Sequence, residues 1–165
     1  MSEQPLDAAV FRQAMGRIAH GVSVLTTVSA GHDHAMTADT VTSVSLDPLL
    51  VLCCVETEAR FHDAVVDGGV WGVSVLAYDQ RPASEWFATR GRPLHGQLDR
   101  TAFSRGAHTG VALLDGALTH LEVRTTDVHP AGDHSIVVGE VVCAALPDLV
   151  PPALVHYRGA YGRLA

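Results

Sequence analysis

Two long β-prone runs joined by a short turn dominate the last third of the chain: ALTHLEVRTTDV (Ala117 to Val128), then HPAGD, then HSIVVGEVVCAAL (His134 to Leu146). Along both runs β-branched residues recur with the period-two alternation of a strand, so the segment is predicted to form a long hairpin. Such a hairpin commits the fold to an antiparallel sheet, and the rest of the chain must cover or pair its edges.

The partners are legible upstream. VSVLTTV (Val22 to Val28) is rich in β-branched residues, SAGHDH is turn material, and a second β-prone stretch runs through Ala35 to Leu46, which predicts another hairpin. Beyond Asp47-Pro48, LLVLCCV (Leu49 to Val55) is apolar throughout, as expected of a strand buried on both faces. VWGVSVL (Val70 to Leu76) adds a strand, and LVHYRG and YGRLA finish the chain as strand-like pieces around Gly159. Helices are few and short. Leu6, Val10, Ala14 and Ile18 line one face of a helix over Leu6 to Ala19, with Gly21 placed to end it. Glu58 to Val66 suits a second, closed by Asp67-Gly68-Gly69, and a third is capped by Asp79 and runs through Trp86 to Gly91. Arg92 to Thr109 is predicted to be a long loop.

There is no βαβ rhythm and no internal repeat. The expectation is a mainly β domain with a few short helices, closed or partly closed as an antiparallel barrel, because closure removes exposed edges. With 165 residues, 47% of them hydrophobic, one domain over residues 1–165 and one substantial core are predicted. A net charge of −7 with eleven Lys plus Arg excludes a nucleic-acid footprint. No apolar run approaches the roughly 18–20 residues that span a bilayer, and the N-terminus lacks a cationic start followed by an apolar stretch, so no membrane partner and a cytoplasmic location are expected. Three cysteines fit neither a disulfide framework nor a C-x-x-C motif; Cys53 and Cys54 should point to opposite faces of one strand. Ten histidines invite a metal reading, but the densest group, His32-Asp33-His34, falls at a predicted hairpin tip as solvated residues, and no metal site is expected.

Hydrolase, zinc-protease, P-loop and dinucleotide Gly-x-Gly-x-x-Gly motifs are all absent. MTADTVTSVSLDP (Met36 to Pro48) is instead unusual for its hydroxyls: Thr37, Thr40, Thr42, Ser43 and Ser45. From the residues alone two readings stay open, a half-exposed strand in which Thr is a good β-former, or a wall of hydroxyls and backbone N–H groups for an anionic heterocycle.

MTADTVTSVSLDP followed by LLVLCCV closely resembles the motif of short-chain flavin reductases, Met-Thr-x-Asn/Ser-Ser-x-x-Ser-Val-Ser-x-x-Pro-Pro and then a buried strand. In the expected order, FRQAMGRIAHGVSVLTT resembles that family's opening, WGVSVLAYDQRPASEWFA its third segment, AGDHSIVVGEV its Gly-Asp-His hairpin and PPALVHYRGAYGRL its ending. The resemblance implies an FMN-binding type of split β-barrel, usually homodimeric, that reduces FMN or FAD with NADH or NADPH and passes the reduced flavin to a separate monooxygenase. It places Thr37, Ala38, Asp39 and Thr40 against the flavin ring and ribityl-phosphate tail, Cys54, Val55 and Glu56 along ring or tail mainly through backbone atoms, Arg60 at the phosphate, and Trp86 and Phe87 at the cofactor. It also implies that Gly132, Asp133 and His134 face the nicotinamide, with His134 at the reaction site. Hydride then passes directly between the two cofactors, and the protein supplies alignment. A protein that keeps its flavin and reduces another substrate, or a non-catalytic flavin or haem binder, are the alternatives on the same barrel. Asp39 stands where the family has Asn or Ser, Thr40 where it has Ser, Ser74 where it has Asn and Leu49 where it has a second Pro. A carboxylate would repel a phosphate, so Asp39 is expected to face ribityl hydroxyls or a ring N–H.

Overall fold

The computed structural model describes residues 7–148 and 150–165. Its elements, in chain order, are α1 (Ala8–Met15), β1 (His20–Gly21), β2 (Ser23–Ser29), β3 (His32–Ala38), β4 (Thr42–Leu46), β5 (Leu49–Glu56), α2 (Arg60–Gly68) and β6 (Val70–Val75). After a 3-10 turn at Tyr78–Gln80 come α3 (Arg81–Ala88), β7 (Phe103–Arg105), β8 (Ala112–Leu114), β9 (Thr119–Ala131), β10 (His134–Ala145), β11 (Ala153–Tyr157) and β12 (Ala160–Leu164).

The predicted hairpin is the β9–β10 pair, at the heart of a seven-stranded antiparallel sheet ordered β3-β2-β6-β9-β10-β5-β4. Its outer strands are β3 and β4, yet only Asp39, Thr40 and Val41 join them. A connection that short reaches at most about 14 Å. Held flat, seven strands would separate the outer two by about 29 Å. The sheet therefore curls until its edges meet. Thr40 lies beside the seam: its hydroxyl accepts from the Cys54 N–H at 3.0 Å and donates to the Cys54 carbonyl at 3.3 Å, prolonging the β4–β5 pairing ahead of the start of β4. The expected partly closed barrel is thus present as a split β-barrel.

Leu25, Cys53, Val55, Trp71, Val73, Val123 and Val137 fill the barrel, sealed by Phe61 and Val65 of α2. A second cluster, with Val24, Leu76, Phe87, Leu98, Leu114 and Leu154, lies outside it. The single core expected from composition is therefore two, because neighbours such as Val24 and Leu25 point to opposite faces and the helix α3 and the small β7–β8 ribbon cover the outer one. Strands β1, β11 and β12 form a separate three-stranded sheet.

Several boundaries differ from the sequence reading. Leu6 lies outside the described residues. The first helix stops at Met15, where the Gly16 N–H reaches the Arg12 carbonyl, while Gly21 pairs with Val155 in β1. Its apolar face is left exposed at Val10 and Phe11. His32-Asp33-His34 open β3 instead of capping the hairpin, whose turn is Ala30-Gly31 with φ of 50° and 77°. Asp33 forms a two-pronged ion pair with Arg105 at 2.6 and 2.7 Å. Ala35 to Leu46 is split at the seam into β3 and β4. Leu49 to Val55 is fully buried on one face only, at Val51, Cys53 and Val55, which point into the barrel, while the residues between them stay partly exposed on the other face. Asp79 does not cap α3; Gln80 occupies that position and the helix ends at Ala88, short of Gly91. HPAGD contracts to Gly132-Asp133, with His129 to Ala131 extending β9 and Gly132 taking the φ of 66° that a tight turn requires. The long loop carries β7. Among the described residues, no helix is long and apolar enough to cross a membrane.

Candidate functional site

A cleft of about 510 Å³ opens at the seam. The end of β3 and the crossing segment supply Thr37, Ala38, Asp39 and Thr40; β5 supplies Cys54 and Glu56; Arg60 begins α2; Phe87 comes from α3; His134 begins β10. Residues scattered over a hundred positions of sequence are thereby brought to one place. Sheet register explains much of it, since His134 lies directly opposite Glu56 and Ile136 opposite Cys54.

Four of the expected residues do not line the cleft, for identifiable reasons. Val55, between Cys54 and Glu56, points into the barrel and is fully buried there, as strand alternation demands. Trp86 turns away from Phe87; its indole N–H donates to the Gln97 carbonyl at 3.0 Å, and its ring lies 4.5 Å under the Arg100 guanidinium, beside a different cleft. Gly132 and Asp133 form the turn beyond the cleft and do not line it. Asp133 instead holds the Nδ1 side of His134 at 2.7 Å, and this hydrogen bond, together with the histidine's charge, keeps the Asp133 carboxyl below the usual carboxylate range.

The hydroxyls serve chiefly to build the wall. Thr37 donates to the Ser84 carbonyl at 2.6 Å, fixing β3 to α3, and Ser84 in turn bonds Tyr161 at 2.8 Å. Thr40 is occupied at the seam. Asp39 faces His156 of β11, carboxylate to Nδ1 3.8 Å, so the residue that departs from the motif has a potential cation beside it.

The positive side of the cleft is larger than the sequence reading found. Arg60, Arg90, Arg92 and His34 all line it. Arg92 donates to the carbonyls of Phe87 and Thr89, each at 2.5 Å, and of Ala35 at 2.7 Å, while its Nε is buried without a partner. Burial, reinforced by the charge of Arg60, lowers its pKa, yet an arginine remains protonated. Arg60 donates to the Arg92 carbonyl, and Arg90 pairs with Glu56 at 3.0 Å. His34 Nδ1 is also buried and unpartnered; burial, then the charges of His32 and Arg60, lower its pKa and favour the neutral ring. No side chain caps the first turn of α2, whose amides and positive dipole end adjoin Arg60. The one sequence sign of Arg92 was its place just after Gly91, where a chain leaving a helix needs donors for the last carbonyls.

Orphaned polar atoms at His34 and Arg92, an uncapped helix start and a basic flank within one cleft suit a planar polar heterocycle carrying an anionic tail. Comparison with known proteins agrees. The model of the flavin reductase like domain matches residues 15–165. An NADH-dependent flavin reductase of Rhodococcus sp is 41% identical over 156 residues, covering 93% of this chain and 84% of the relative. The reductase subunit HsaB of a flavin-dependent monooxygenase of Mycobacterium tuberculosis is 30% identical over 98% of this chain and 84% of its own. The crystal structure of BorF, the flavin reductase component of a bacterial two-component tryptophan halogenase, superposes with a TM-score of 0.90 at 42% identity, covering 96% of this chain and 98% of that one. Motif order, barrel and relatives converge, and the chain belongs to the flavin reductase like domain family.

Proposed function

We propose that this protein is an NAD(P)H:flavin oxidoreductase that reduces free FMN or FAD and supplies the reduced flavin to a separate monooxygenase. The observation that carries this reading is the seam cleft itself, where Arg60, the open start of α2 and the unpartnered His34 and Arg92 atoms gather around the motif segment Thr37 to Thr40. When bound, flavin supplies the two-electron acceptor chemistry. The protein's residues bind and align: Arg60 and the α2 amides hold the phosphate, the Thr37–Thr40 wall and Cys54 flank the ring, and His134, held by Asp133, orients the nicotinamide. NADH is the expected donor, from the names of the relatives.

The test is a steady-state assay of NADH and NADPH against FMN and FAD. Nicotinamide oxidation that requires added flavin supports the proposal. A yellow protein active without added flavin, or no oxidation with any pair, overturns it. Within that assay, Arg60→Ala is expected to raise the flavin KM about tenfold with little change in kcat, as loss of one charge-assisted hydrogen bond predicts. His134→Ala should act mainly on the nicotinamide KM. If neither parameter moves in either variant, the site assignment is wrong.

The protein acts as a homodimer in the cytoplasm. Support for the dimer comes from apolar side chains left exposed on α1, β4 and β5, including Phe11, Val44 and Leu49. Sedimentation equilibrium showing a monomer at micromolar concentration would contradict it.

A further inference from the structure

On the outer face of the barrel, far from the cleft, His108, Glu122 and Cys143 present an imidazole nitrogen, a carboxylate oxygen and a thiol whose ligand atoms lie within 4.8 Å of one another. Glu122 and Cys143 are direct partners across β9 and β10, so their side chains share a face, and His108 hangs over them from the turn between β7 and β8. Along β10, Cys143 stands nine residues from His134, about 30 Å at the rise of a strand.

Glu122 is 3% exposed. One carboxylate oxygen, Oε2, accepts from the His108 N–H at 2.9 Å and from the Thr109 N–H and hydroxyl, each at 2.7 Å. Oε1 has no protein donor among the described residues, and no ion pair there involves Glu122. A buried carboxylate with no ion pair among the described residues, with a thiol and an imidazole beside it, is a donor set of the mixed N, O and S kind that zinc accepts. Gly106 fits this arrangement: any side chain there would collide with the Glu122 carboxylate, so the turn has been kept open above it.

We propose that His108, Glu122 and Cys143 bind a divalent zinc ion, with water completing a tetrahedron. Tetrahedral ligands sit about 3.5 Å apart, so His108 must close by roughly 1 Å, which an exposed turn residue can do. Binding releases the Cys143 thiol proton to solvent and ties the β7–β8 ribbon to β9 and β10.

The test titrates the full-length protein with cobalt(II), then zinc(II), without flavin. One equivalent per chain should give a thiolate-to-cobalt absorption band that zinc abolishes, and zinc should raise the melting temperature. Cys143→Ala should remove the band, and His108→Ala should weaken binding at least about tenfold. Both variants should keep flavin reduction and the metal-free melting temperature. Absence of the band in the unsubstituted protein, or a band unchanged in Cys143→Ala, overturns the proposal and assigns any binding to other histidines or Cys54.

Discussion

Gly139→Ala is expected to lower stability by about 3 kcal/mol, a fall of roughly 6–12 °C in melting temperature for a domain of this size. Gly139 lies at a register shift between β9 and β10, where the two backbones crowd. An added methyl would run into Val123, lie 2.7 Å from the Arg124 carbonyl and 3.1 Å from the buried Trp71 indole nitrogen. The carbonyl belongs to the sheet backbone and has no rotamer to yield. Gly21→Ala is the control, since a methyl there meets nothing within 4 Å, and should stay within about 0.5 kcal/mol of the unsubstituted protein. Thermal melts followed by circular dichroism decide the matter; equal shifts in both variants would refute the steric account.

The second large effect belongs to Arg92. Arg92→Ala removes the donor shared by the carbonyls of Phe87, Thr89 and Ala35; those of Phe87 and Ala35 are part-buried, and each such acceptor left unpaired costs about 1–3 kcal/mol before water enters from the cleft. A net loss of about 2–4 kcal/mol is expected, with a flavin KM raised tenfold or more because the wall joining α3 to β3 loosens. Arg92→Lys should fail nearly as badly, as an ammonium has three donors and no fork. A lysine variant with unsubstituted stability and KM would show that charge, not the fork, matters there. Urea titration and flavin-dependent kinetics on the same preparations read both effects.

How much of this the chain declared in advance depended on the range of each interaction. Strand runs were legible because alternation is local; β9 and β10 appear within a few residues of their expected limits. Site residues carried by strands were legible too, once the motif gave their register: Cys54 and Glu56 fell on the cleft, while the Val55 side chain turns into the barrel because three consecutive residues cannot share one face. Trp86 was misplaced because a single position on a short helix turns a side chain by about 100° from its neighbour. Arg92 and His34 were missed for a different reason. Nothing in a loop rich in Gly and Arg states which distant carbonyls an arginine will find, and a histidine beside a turn looks solvated until a second element covers it. The seam was likewise invisible, since a threonine that completes a sheet through its side chain has the same composition as one that decorates it.

That seam bears on turnover. A barrel edge joined by main-chain pairing along its whole length would have to break a cooperative ladder to widen. Here the stitch between the crossing segment and β5 is a single hydroxyl making two hydrogen bonds to Cys54. Parting it is a local fluctuation, a breathing of the doorway without loss of the walls. A flavin treated as a substrate must enter oxidised and depart reduced in every cycle, and a wall held there by one side chain, not by a ladder, suits that traffic.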